Sequence, residues 1–125
     1  MSPRWMRPLA RTLIVLVTAF WLWFGIASAF AEGLGALNWI GHIVVPGGVL
    51  IVTALVAWRW PIAGASLLIA EGLFVAIAYP LTFGRRFPLF TTVMIWLTMA
   101  LPPMVAGVLL LVDRRAARAQ LAARR

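Results

Sequence analysis

The chain has 125 residues, of which 64% are hydrophobic and 11% charged, with a net charge of +8 and no cysteine. Soluble domains carry about 45–50% apolar and about 25% charged residues, so this composition excludes an ordinary water-soluble fold. The length allows one domain, and the missing cysteines exclude disulfide frameworks, thiolate metal sites and cysteine nucleophiles.

Four apolar stretches cover 9–31, 38–59, 61–83 and 89–112. A hydrocarbon core about 30 Å thick needs about 20 apolar residues at 1.5 Å rise, and each stretch meets that length. The expected fold is therefore all-α, a four-helix transmembrane bundle with short loops. Span one follows Arg4, Arg7 and Arg11 and contains Trp21 and Trp23, which lie about 200° apart on a helix and so face different neighbours. Its start also fits a signal peptide, with Ala29-Phe30-Ala31 as a small-x-small site. The apolar run is longer than a usual signal core and rich in aromatics, so a retained first helix is expected. Gly25, Ala29 and Gly33 recur at helical spacing and would let a neighbouring backbone approach closely. Glu32-Gly33-Leu34-Gly35 ends the span, because glycine tolerates the conformations that terminate helices.

Span two has Asn38 as its expected N-cap and His42 in its outer part. Pro46 lacks an amide donor and its ring displaces the carbonyl of His42, and Gly47 and Gly48 weaken the following turn. A kink is expected there, exposing polar backbone that needs a partner. Trp58-Arg59-Trp60-Pro61 reads as a very tight hairpin: the tryptophans suit the headgroup layer and Pro61 the first turn of span three. Span three carries Glu71 near its middle and the small residues Gly72 and Ala76, and ends near Gly84. Pro88 opens span four, where Pro102 and Pro103 free the carbonyls of Thr98 and Met99. The tail 113–125 reads as a helical extension.

All eleven basic residues are arginines. If the chain crosses four times, nine fall on one side (Arg4, Arg7, Arg11, Arg59, Arg114, Arg115, Arg118, Arg124, Arg125) and Arg85 and Arg86 on the other. This bias places both termini in the cytoplasm of a multi-pass protein of the cell membrane. The same arginines, Arg59, Arg114, Arg115 and Arg118 among them, suit anionic lipid headgroups, each contributing about 1 kcal/mol. Nothing resembles a groove-reading element, so nucleic acid is not an expected partner.

Glu71 is the sharpest chemical signal, since a carboxylate at mid-bilayer costs several kcal/mol unless protonated, paired or hydrated. It is read as a proton or cation site, as a polar contact to a partner subunit, or as a neutral hydrogen-bonded group that fixes helix packing. Counted from the Arg59 hairpin at 1.5 Å per residue, His42 lies about 25 Å up and Glu71 about 18 Å up, so a Glu–His pair is feasible. A lone histidine makes no metal or haem site unless a symmetry mate supplies another ligand, and a packed histidine is the plainer reading. No phosphate loop, nucleophile elbow or catalytic triad is present, so neither a cofactor nor an enzyme is expected.

The stretch His42 to Pro46, followed by Ala57-Trp58-Arg59-Trp60-Pro61-Ile62-Ala63-Gly64, resembles a family of small bacterial and archaeal four-helix integral membrane proteins classed as a domain of unknown function. Leu101-Pro102-Pro103-Met104-Val105-Ala106-Gly107 fills that family's proline-containing fourth helix ahead of a basic tail. The resemblance covers about residues 9–115 and implies the same topology, with no assigned activity; Glu71 lies outside its pattern. Two functions follow as expectations. One is a non-enzymatic protein acting by helix–helix contact, as a homo-oligomer or an accessory subunit of a larger membrane complex. The other is a small proton- or cation-coupled transporter or channel subunit using Glu71. Small four-helix multidrug exporters also rely on one membrane-embedded Glu, but in their first helix and with weak charge bias.

Overall fold

The computed structural model describes residues 5–33, 35–83 and 88–124. Those residues form no strand and four helices: α1 (Met6–Ala31), α2 (Ala36–Arg59), α3 (Pro61–Phe83) and α4 (Leu89–Ala123). Each is long and apolar enough to cross a membrane, and the chain is accordingly a multi-pass membrane protein. Helices are what hydrocarbon permits, because each satisfies its own N–H and C=O groups where no water can.

Short connections make sequence neighbours antiparallel. The helix α1 packs against α2 and α4, and α3 packs against the same two, closing the bundle in chain order. Trp60 alone separates α2 from α3: its N–H donates to the Val56 carbonyl at 2.6 Å, and the Gly64 N–H donates to its carbonyl at 2.9 Å. The tight hairpin read from Trp58-Arg59-Trp60-Pro61 is thus present. The first turns of α1 and residues 106–110 of α4 lie at this hairpin. Ala10 and Ile14 of α1, Ala57 of α2, Ala65 and Leu68 of α3, and Ala106 and Leu110 of α4 form one buried core there.

Several expected boundaries move. The N-cap of α2 is Gly35, in extended conformation and without a side-chain cap bond, while Asn38 lies exposed inside the first turn. Ala36 and Leu37 are good helix formers, and glycine serves as an N-cap almost as well as asparagine. The tail continues α4 without a break to Ala123, as its alanines favour. Gly33 stands past the end of α1 at φ 60°, where a side chain would be strained. A methyl there would meet no other part of the chain within 4 Å, so Gly33 is a turn residue and not part of a packing row. Arg4, Leu34, Gly84, Arg85, Arg86 and Arg125 lie outside the described residues.

The proline kinks take the form of two widened turns. In α2 the turn Val44–Gly48 is π-helical, and the Val49 N–H donates to the Val44 carbonyl five residues back. In α4 the turn Trp96–Ala100 is π-helical, and the Leu101 N–H donates to Trp96. Pro46 lies within the first. Pro102 and Pro103 follow the second, so the irregularity sits upstream of them, at the carbonyls their rings would otherwise crowd. The Trp21 indole N–H donates to the freed Thr98 carbonyl at 3.2 Å. That bond supplies the partner the exposed backbone requires.

Packing is tightest at the hairpin. A methyl at Gly64 would collide with the Ala57 backbone, so α2 and α3 touch there almost main chain to main chain. At the opposite end, Ala36–Ile43 contributes no buried residue. Gly64→Ala is expected to lower stability by about 1–3 kcal/mol through overpacking. Gly41, where a methyl would meet nothing within 4 Å, should instead accept alanine with a gain of about 0.5–1 kcal/mol. Unfolding titrations in micelles measure both.

Candidate functional site

Glu71 projects from the middle of α3 into the space between α2 and α4. Thr53 of α2, 3% exposed, donates its hydroxyl hydrogen to Glu71 Oε1. The hairpin at Trp60 fixes the register of α2 against α3 and so brings the two side chains together. Glu71 Oε2 is buried and has no hydrogen-bond partner among the described residues. Beside the carboxyl lies a cavity of about 200 Å³, bordered by Val45 and Pro46 from the widened turn of α2, Met99 from that of α4, and Pro103. Both irregular turns therefore converge on the one intramembrane carboxyl. The remaining walls, Val49, Leu50, Phe74 and Val75, are apolar.

Chemically, this is a single acid with one oxygen engaged and the other facing an apolar enclosure. It can tie two helices together through hydrogen bonding, and its second oxygen can accept from one further donor. Among the described residues no three His, Cys, Asp or Glu side chains gather as a metal would require. Below Glu71, toward the hairpin, the interior is the alanine- and leucine-filled core, with Ala65, Leu68 and Ala106 at 0% exposure. Among the described residues, the buried core thus carries no polar side chain below the level of Thr53 and Glu71.

His42 does not meet Glu71. Its Nε2 lies 3.5 Å from Glu32 Oε2, just past the end of α1, with both side chains substantially exposed. The rise per residue gave the heights of His42 and Glu71, but not the direction in which each ring or carboxyl points. An exposed pair of this kind contributes about 0–1 kcal/mol. The His42 backbone carries the tighter contact, because a methyl at Gly25 would lie 2.6 Å from its carbonyl oxygen.

The small residues of α1 and α3 pack within the chain. Gly25 and Ala29 are buried on α1, Gly25 against α2. Gly72 faces α4, where a methyl would lie 2.6 Å from the Ala100 carbonyl oxygen, and Ala76 is half-buried. Trp21 is 7% exposed and Trp23 65%, the division their angular separation requires. At the basic end the Arg59 guanidinium lies 5.8 Å from the Trp60 ring centre, and Arg11 lies 5.6 Å from that of Trp58. Arg114 is half-buried, while Arg115 and Arg118 are exposed. Sequence reading missed Thr53, Trp21 as a donor, and Glu32 as the partner of His42. A threonine or tryptophan in an apolar span reads as packing until a partner is in view, and Glu32 reads as loop.

Residues 1–122 match the family described as Domain of unknown function (DUF7670). The chain belongs to that family. No curated protein and no solved structure matches it. The resemblance read from His42, Pro46 and the Ala57–Gly64 stretch is thus to a family of unknown function that spans nearly the whole chain. In this DUF7670 member the hairpin motif builds the sealed end of the bundle and Pro46 shapes one wall of the Glu71 cavity.

The Thr53–Glu71 bond should behave as an interhelical tie. Replacing Thr53 by Val is expected to cost about 0.6 kcal/mol and at most about 1.7 kcal/mol, the range of such bonds inside membranes. A double-mutant cycle of Thr53→Val with Glu71→Leu in micelles should recover that coupling.

Proposed function

We propose that the chain is a non-enzymatic membrane protein that acts through helix–helix contacts, assembling with itself or as an accessory subunit of a larger membrane complex. Its two ends lie on the cytoplasmic side of the plasma membrane, an orientation supported by the arginines gathered at the hairpin end. The observation that carries the functional reading is the blocked interior. Among the described residues, the buried core between Glu71 and the hairpin holds only alanine, leucine and isoleucine side chains, at near-zero exposure. A single chain therefore offers no hydrated route from one face to the other. What it offers instead is apolar helix surface, including Trp23, Phe74 and Leu55, each at least 65% exposed.

A second reading, a proton- or cation-coupled transporter subunit, is favoured by one specific feature. The two widened turns meet at a carboxyl oxygen that lacks a hydrogen-bond partner, and such turns often mark functional positions. One experiment separates the two. After reconstitution in vesicles, the chain and its Glu71→Gln variant should show the same discrete assembled size in mild detergent and no proton or cation flux. A monomer at all concentrations and in native membranes contradicts assembly. A flux that vanishes in Glu71→Gln replaces the contact reading with the transporter reading.

A further inference from the structure

Between α1 and α2, on the outside of the bundle, runs a groove of about 540 Å³. Val15, Ala19 and Leu22 form its α1 wall; Ile51, Leu55 and Trp58 form its α2 wall. The lining is apolar save for Thr18, whose hydroxyl is buried out of reach of any occupant. The groove has a charged end. Arg11 stands one helical turn before Val15 on the same face of α1, and its guanidinium lies over the ring of Trp58. Arg7, exposed, precedes it by another turn on that face.

We propose that this groove binds one anionic phospholipid, with its phosphate on Arg11 and one acyl chain laid along the groove. Length supports the assignment. From Arg11 to Leu22 is eleven residues, about 16 Å of helix, and one leaflet of a hydrocarbon core is about 15 Å deep. The groove thus starts with a cation at the headgroup level and runs apolar to the midplane, which is the polarity of one lipid. Charge supports it too. Stacking on Trp58 holds the Arg11 guanidinium beside the groove mouth, where a phosphate can accept from it. A second copy of the chain seated symmetrically in the same groove would bring the two Arg11 guanidinium groups together at that mouth. The proposal rests on the chain spanning a membrane and on its assembly leaving this groove free.

The test is intact-protein mass spectrometry from mild detergent, with added phosphatidylglycerol or phosphatidylcholine. One phosphatidylglycerol per chain should be retained, in preference to phosphatidylcholine. Arg11→Ala should weaken retention about fivefold, the effect of losing one arginine at a lipid surface. Ala19→Trp, which fills the groove from an exposed position, should abolish the single bound lipid, whereas Arg124→Ala in the tail should change nothing. Helical content and unfolding midpoint, measured alongside, show that both groove variants remain folded. Equal retention of the two lipids, or phosphatidylglycerol binding unchanged in both groove variants, overturns the proposal. So does disulfide dimerisation of a Leu55→Cys variant in membranes at the expense of lipid binding, which would seat a second copy there.

Discussion

In hydrocarbon a backbone amide or carbonyl finds no water, so every break in a helical ladder must be repaired from within the chain. That constraint organises this bundle more than apolar burial does, because lipid tails are as apolar as the side chains they meet. The prolines at positions 46, 102 and 103 each remove an amide donor. The chain responds by widening a turn in α2 and another in α4, resuming hydrogen bonding five residues apart. One carbonyl released in α4 is taken by the Trp21 indole. The aromatic residue buried on α1 therefore serves as packing and as the donor to one freed carbonyl of α4.

The same requirement explains the asymmetry of the bundle. Where ladders are unbroken, near the hairpin, small residues let helices close to backbone contact. Beside the widened turns lies a cavity, and the one intramembrane acid is placed there with Thr53 on one of its oxygens. The bundle is thus closed on one side of its carboxyl and irregular on the other, and the proposed role follows from that division.

Much of this could be read directly from residues. The span count, the Trp60 hairpin and the separation of Trp21 from Trp23 follow from apolar length, proline chemistry and helical angle. The irregularity at Pro46 was legible for the same reason, as was the need of the Thr98 carbonyl for a partner. Other features depend on side-chain direction across helices, which spacing within one helix does not encode. Glu71 is paired with Thr53 and not His42 because rise per residue gives height but no azimuth. Gly33 extends the small-residue row of α1 by spacing alone, yet it falls past the last helical turn, where the chain has already left the seam.

The central claim is that the interior is sealed between the Glu71 level and the hairpin. Because the chain has no cysteine of its own, single substitutions report on it without background. Ala57→Cys, Ala65→Cys and Ala106→Cys variants in lipid vesicles would be exposed to a water-soluble maleimide from each face, with an exposed tail position such as Ala122→Cys as the reactive control. Unreactive thiols at all three core positions, beside a fully labelled tail, are the predicted result. Labelling of any of the three in a variant that retains native helicity would show water reaching through the hairpin half, and would contradict the account.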